Sequence, residues 1–258
     1  MGIGPSRRDF LKTAGLLAGT LPIARDLAAI QAPRPENAAQ AVRERLLERR
    51  ARIEALHVDY NYSSTKPSDL RNGRNQLFLS KGRLHIRNER KEGSTLQIVN
   101  GELGLDAFVY PDGTVANVRF WERSERRVTP RPLDSFLPIL EDKPAVARGL
   151  QQIDGDRCQG FLQGERLLWV STTIPGVRSV ETYRTASQIE ERIFFKDFSE
   201  VSPGLFFPRS FQVLLYDETG DIAVERSITV NTVNVNEPLD ERLFVVKDFP
   251  AKDERVAL

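Results

Sequence analysis

From residue 57 to residue 236 the chain is written mostly in a period of two, and this restricts its folds more than any other feature. Val58, Tyr60 and Tyr62 alternate with His57, Asp59 and Asn61, the pattern of a strand with one buried face. Gln76 to Ser80 follows as a short apolar strand, Lys81-Gly82 as a turn, and Leu84 and Ile86 then alternate with His85 and Arg87. Leu96 and Ile98 lead to the turn Asn100-Gly101, and Leu105 to Tyr110 is closed by Pro111-Asp112-Gly113. There proline sets φ and glycine supplies a positive φ. Val115 to Trp121 returns antiparallel, so 57–121 reads as a meander of about six strands. Strands resume at 157–162, 166–172, 177–185, 188–198, 206–216 and 222–236, the last two joined by the turn Asp217-Glu218-Thr219-Gly220. Up to twelve antiparallel strands with so little helix cannot lie flat. Such a sheet must twist strongly, curl or close, and its few helices must cover part of the apolar face. The fold class is α+β, mainly antiparallel β.

The helices are few. Ala39, Val42, Leu46, Ile53 and Leu56 gather on one side of a helix over 36–56, opposite interleaved arginines and glutamates that form a solvated face. Pro130-Arg131-Pro132 interrupts the strands, and Leu133, Phe136, Leu137 and Leu140 mark a short amphipathic helix with Asp134 near its start. Ala145 to Leu150 extends it as a second turn or helix.

The first thirty residues are of another kind. Ser6-Arg7-Arg8-Asp9-Phe10-Leu11-Lys12 resembles the twin-arginine export signal, with Arg7 and Arg8 as the signal pair. The apolar run from Thr13 to Ala24 is too short and too rich in glycine and alanine to span a bilayer. Small residues near Ala28, Ala29 and Ala32 offer cleavage sites. The reading is a signal peptide over 1–32 and a single domain over 33–258, placed in the periplasm or otherwise outside the cytoplasm. Beyond Ala32 the chain holds 33 basic and 34 acidic residues, so no global charge recruits nucleic acid or a membrane surface. One cysteine, Cys158, excludes an internal disulfide and reads as a small buried apolar residue.

The order of elements resembles the LolA/LolB-type lipoprotein-carrier superfamily, which includes the N-terminal domain of RseB-like sensors. The resemblance covers roughly 37–250. It rests on Leu56-His57-Val58-Asp59-Tyr60, on Leu168-Trp169-Val170 with Val177-Arg178-Ser179-Val180, and on two closing phrases. These are Phe198-Ser199-Glu200-Val201-Ser202-Pro203-Gly204-Leu205-Phe206-Phe207-Pro208 and Val233-Asn234-Val235-Asn236-Glu237-Pro238-Leu239-Asp240-Glu241-Arg242-Leu243-Phe244. It implies a strongly curved, incompletely closed half-barrel with helices as a lid over a cavity for acyl chains. It implies binding, not a reaction. The chain departs from the core carriers in its length, its leader and its extra sequence around 64–75 and 122–132.

The chemistry agrees with a non-enzyme. His57 and His85 stand on polar strand faces with no third ligand for a metal. Asp154-Gly155-Asp156 is a turn and not a calcium loop. No Gly-x-Ser-x-Gly elbow or phosphate loop occurs, so neither a catalytic residue nor a cofactor is assigned. Arg123, Arg126, Arg127 and Arg131 read as a solvated basic loop beside Trp121. Fourteen phenylalanines supply stiff apolar groups that line either a core or a cavity. The expected lining, chosen by alternation, is Tyr60, Tyr62, Leu84, Ile86, Phe120, Trp169, Phe195, Phe211 and Val213. Phe211→Glu is then expected to abolish amphiphile binding and spare the fold. The expected partners are a lipid or acylated protein cargo and an envelope membrane protein, with the chain a monomer. The alternative is a ligand-free protein-interaction or envelope-stress sensing domain of the same fold.

Overall fold

The computed structural model describes residues 35–66, 71–122, 132–246 and 256–257. The leader with Arg7 and Arg8 lies outside these residues, as does the arginine cluster at 123, 126, 127 and 131. Helix α1 (Pro35–Ala51) precedes the strands β1 (Ala55–Ser64), β2 (Gly73–Ser80), β3 (Arg83–Arg90), β4 (Gly93–Asn100), β5 (Leu103–Val109) and β6 (Thr114–Glu122). After the short helix α2 (Pro132–Phe136) come β7 (Val146–Ile153), β8 (Asp156–Gln163), β9 (Arg166–Ser171), β10 (Val177–Thr185) and β11 (Gln188–Ser202). The chain ends through β12 (Leu205–Tyr216), β13 (Ile222–Val235), a 3-10 turn (Glu241–Phe244) and the two-residue β14 (Val256–Ala257).

All the strands form one antiparallel sheet in the order β14-β6-β5-β4-β3-β2-β1-β13-β12-β11-β10-β9-β8-β7. The sheet is therefore two meanders fused along β1 and β13, paired from Leu56↔Val235 to Ser64↔Arg226. β7 and β14 stand at opposite ends of the order, so the sheet is an open half-barrel and not a closed barrel. The six-strand meander expected over 57–121 is β1 to β6. Its turns use the expected chemistry: Gly113 has φ +83° and donates its N–H to Tyr110 O at 3.0 Å, while Asp112 Oδ1 accepts from Thr114 N at 2.9 Å.

Two sequence expectations need correction. Residues 145–150 are not helical; from Val146 on they belong to the edge strand β7, which pairs with β8 from Val146↔Leu162 to Ile153↔Asp156. An edge strand exposed on both faces shows no alternation, so a period of two was not there to read. The first helix also ends earlier, at Ala51, and Leu56 already belongs to β1. Both Ile53 and Leu56 are nonetheless buried, because the chain turns directly from the helix into the sheet.

Each face of the sheet has its own cover. The inner face carries the large core, in which Ala39, Val42 and Leu46 of α1 and Phe136, Leu137 and Leu140 after it pack on the strands. The outer face of β4 to β6 carries a second cluster, Leu96, Ile98, Leu105, Ala107, Val115 and Val118, joined by Val246 from the C-terminal segment. That segment straps over β3 and β4. Arg83 ion-pairs with Glu241 and its guanidinium lies 4.6 Å from the centre of the buried Phe244 ring. Asn100 Nδ2 donates to Phe244 O at 2.9 Å.

The strap also explains the histidines. His57 stacks on Phe78 with ring centres 4.4 Å apart, and Phe78 meets His85 edge-on at 5.4 Å. His85 Nδ1 lies 2.7 Å from Leu243 O; a carbonyl only accepts, so Nδ1 carries the proton. The sequence places both on a polar outer face, and the strap then buries His85. Burial is the largest cause holding both imidazoles below the ordinary range, and it outweighs the Asp59 and Glu237 charges at His57 and the Leu243 carbonyl at His85. The unfolded chain takes up these protons near pH ~6.5 while the folded chain resists them. The histidine contribution to stability is therefore full above about pH 6.5 and is lost as pH falls below it. Urea unfolding at stepped pH should show this decline well above the carboxylate range, and His85→Gln should flatten it. An unchanged profile in the variant would remove His85 as a source.

Candidate functional site

The inner face follows from strand parity. In β1, Leu56, Val58, Tyr60 and Tyr62 share one side, and they meet Val235, Val233, Val230 and Ile228 of β13. Leu77 and Leu79 of β2 sit opposite Val58 and Leu56, and Ile86 and Leu84 of β3 sit opposite Leu77 and Leu79. On the other half, Phe195 of β11 is paired with Phe211 of β12. These side chains build one continuous apolar surface across the fused meanders.

Helix α2 presses an aromatic plug onto the centre of that surface. The Phe136 ring lies 5.3 Å from Phe211, 5.6 Å from Phe207 and 5.6 Å from Tyr60, and Phe195 meets Phe211 edge-on at 5.3 Å. Offset and edge-on contacts of this kind add about 0.5–1.5 kcal/mol each beyond the area buried. The Tyr60 hydroxyl, buried beside the plug, is pushed up to about 12 and stays protonated at any physiological pH.

Arginines near the C-terminal end of α1 hold it in place. Arg49 continues the buried stripe of Val42 and Leu46 and is only 5% exposed. It donates to Phe206 O, Arg52 donates to Pro203 O, and Arg50 Nη1 lies 2.5 Å from Asp134 Oδ1 of α2. Burial, with the neighbouring Arg178 charge second, lowers the Arg49 pKa to about 10, so it remains a cation. Arg178 is itself stacked on Phe198 at 4.0 Å and bonded to Asp156 at 2.7 Å.

Beside Ile86 none of the described helices covers the inner face. A cleft of about 510 Å³ is lined by Ile86, Asn88, Arg90, Thr95, Gln97, Asp106 and Phe108 among others. Its floor is apolar at Ile86 and Phe108, and between them Asn88 Nδ2 donates to Thr95 Oγ1 at 3.0 Å and Gln97 Nε2 to Asp106 Oδ1 at 2.9 Å. Two further clefts are separate from it. One of about 300 Å³ lies between α1 and residues 140–145, and one of about 500 Å³ is lined by Arg148, Leu162, Leu167 and Tyr183.

Of the nine residues expected to line a cavity, parity places seven on the inner face. Leu84, Phe195 and Phe211 are inside the core, Tyr60 and Ile86 pack against it, and Tyr62 and Val213 are buried on the same side. Ile86 also lines the cleft. Trp169 and Phe120 stand on the opposite side. Their neighbours Leu168, Val170 and Trp121 belong to the inner core, so alternation turns Trp169 and Phe120 outward. The Trp169 ring covers Gly160, where a Cβ would come within 2.9 Å of it, and Phe120 is 43% exposed. Arg90, Asn88, Thr95 and Gln97 escaped the sequence reading, although Leu84, Ile86, Asn88 and Arg90 follow one another on a single face and record its passage from apolar to polar.

The remaining reactive groups are structural. Cys158 is fully buried, and burial with help from Asp156 pushes its thiol up to about 11, so it is a poor nucleophile. Burial of Asp156 works against ionisation, but bonds from Ser171, Thr173 and Arg178 prevail and hold it below the usual carboxylate range. Among the described residues no three His, Cys, Asp or Glu side chains are grouped to hold a metal, and no helix is long and apolar enough to cross a membrane.

No family model and no curated protein matches the chain. Solved structures do. The chain is similar to a DUF1329 family protein from Desulfovibrio piger, with 11% identity and a TM-score of 0.47 over 82% of this chain and 97% of that one. It is similar to a domain from Vibrio parahaemolyticus assigned to outer membrane lipoprotein sorting, with 10% identity and a TM-score of 0.46 over 80% and 97%. It is also similar to a LolA superfamily protein from Nitrosomonas europaea, with 13% identity and a TM-score of 0.42 over 81% and 97%.

Proposed function

We propose that the chain is an exported carrier that holds acyl chains of lipoproteins or other amphiphiles against the inner face of its half-barrel. The observation that carries this reading is the junction at Ile86, which packs on the helix-covered core and also lines the open cleft of about 510 Å³. A ligand can there remain in contact with the core on one side and with solvent on the other. Each methylene it removes from water contributes about 0.8 kcal/mol. The cargo is a lipid or an acylated protein, delivered to an envelope membrane-protein partner by a monomer. The twin-arginine-like leader over 1–32 takes the domain over 33–258 out of the cytoplasm.

One observation favours the other reading, a ligand-free interaction or sensing domain. The ring of Phe136 already fills the centre of the inner face against Phe207 and Phe211. In the carrier reading α2 is the element that cargo displaces.

Native mass spectrometry of the exported protein, followed by organic extraction, separates the two. A stoichiometric co-purifying lipid or acyl peptide, or uptake of a fluorescent fatty-acid probe at micromolar concentration, is the expected result. A clean apo mass with no probe uptake would transfer the assignment to the interaction domain.

A further inference from the structure

The open cleft does not continue the chemistry of the core. Across β2 to β5 one inner-face row runs Leu77, Ile86, Gln97, Asp106, and the next runs Asn75, Asn88, Thr95, Phe108. A further step along β3 brings Arg90, paired with Gly93 of β4. A Cβ at Gly93 would come within 2.8 Å of the Phe108 ring, so that ring lies across the glycine and walls the cleft beside Arg90. Along β3 the inner face thus passes in two steps from Ile86 through the amide of Asn88 to the guanidinium of Arg90.

The guanidinium-bearing side chain of Arg90 lines the cleft beside Phe108. Its Nε is shielded from solvent and has no hydrogen-bond acceptor among the described residues. Two neighbouring carboxylates are engaged or turned away. Asp106 accepts from Gln97, and Glu89, one residue along and on the opposite side of β3, pairs with Arg87 at 3.5 Å. A guanidinium presents donors in a planar fork that matches two oxygens of a carboxylate or phosphate.

We propose that this cleft is an oxyanion-headgroup site, with Arg90 as the charge partner, Asn88 and Thr95 as hydrogen-bonding groups, and Ile86 as the point where an apolar tail leaves toward the core. The tail depends on the carrier reading above; the anion site does not. The ligand class is a singly or doubly charged oxyanion joined to an acyl chain, as in a fatty acid or a phospholipid. Asp106 lies at the far end of the cleft and excludes the anion from that end, which gives the headgroup one orientation.

The test measures binding of oleate, oleyl alcohol and inorganic phosphate to the delipidated protein, for wild type and Arg90→Gln, by calorimetry. Oleate should bind at least about tenfold more tightly than the alcohol in wild type, and Arg90→Gln should erase that preference while leaving alcohol binding unchanged. Asn88→Ala serves as a second variant, with a smaller loss confined to oleate, should Arg90→Gln fail to fold. Equal binding of acid and alcohol in both proteins overturns the anion site and leaves the carrier reading intact. Phosphate binding that Arg90→Gln removes, with no uptake of either amphiphile, sustains the anion site and overturns the carrier reading. No binding of any of the three overturns both.

Discussion

Phe211→Glu is expected to unfold the domain rather than to empty a cavity. Phe211 is 4% exposed, with Phe136 and Phe195 rings each 5.3 Å away. Removing a buried phenylalanine costs about 3–5 kcal/mol. The glutamate that replaces it finds no cation or donor among these phenylalanines, so it must either protonate or stay charged in an apolar site, at a further cost of a few kcal/mol at least. The sum rivals the ~5–15 kcal/mol that holds a typical domain together. From the sequence, where Phe211 reads as a lining residue, the same variant is expected to stay folded and lose only its ligand. Burial by α2 makes the difference. Thermal denaturation followed by circular dichroism decides the matter, with Phe211→Leu as a mild control. A glutamate variant that melts within about 5 °C of wild type would show that Phe211 is not a core residue.

Gly104→Val should also be strongly destabilising, for a reason of space alone. Gly104 of β5 is paired with Trp121 of β6, and a Cβ at that position would lie 2.2 Å from two atoms of the indole. Gly104 is not at a positive φ, so its backbone would accept any residue. The buried indole must instead leave its seat on the core. Overpacking of this sort costs about 1–3 kcal/mol, and the branched valine belongs at or beyond the upper end. Gly104→Ala should already shift Trp121 fluorescence to the red and lower the urea midpoint. Wild-type stability and emission in the alanine variant would mean that the ring adapts freely.

Much of the candidate site could be read from alternation. Tyr60, Leu84, Ile86, Phe195 and Phe211 came out on the helix-covered face because a pleated strand turns alternate residues to the same side. Trp169 and Phe120 stand on the other side, because neighbours along a pleated strand point to opposite faces. Leu168, Val170 and Trp121 beside them were the signal that assigns them outward. The strand β7 was hidden for a different reason. An edge strand with most side chains exposed has no buried face to impose a pattern, and Val146 and Leu150 stand in solvent. Arg90 continues the face of Leu84, Ile86 and Asn88 in the sequence, but its place beside Phe108 in the cleft depends on the pairing of β3, β4 and β5.

Local features are legible in the chain: where the strands run, where aspartate and glycine turn them, and which residues share a side. These depend on backbone geometry and on neighbours two or four residues away, and a single chain records them directly. The tertiary structure alone decided that β1 joins β13, across 172 residues between Asp59 and its bonded Asn231, and so fuses two meanders into one sheet. It also decided what covers each face. Helix α2 rather than a ligand fills the centre of the inner face, and the C-terminal strap closes the outer face over His85. An apolar strand face demands burial but does not name the segment that provides it. That choice is made by packing between distant parts of the chain, and among the described residues it leaves a cleft at Ile86 and Arg90.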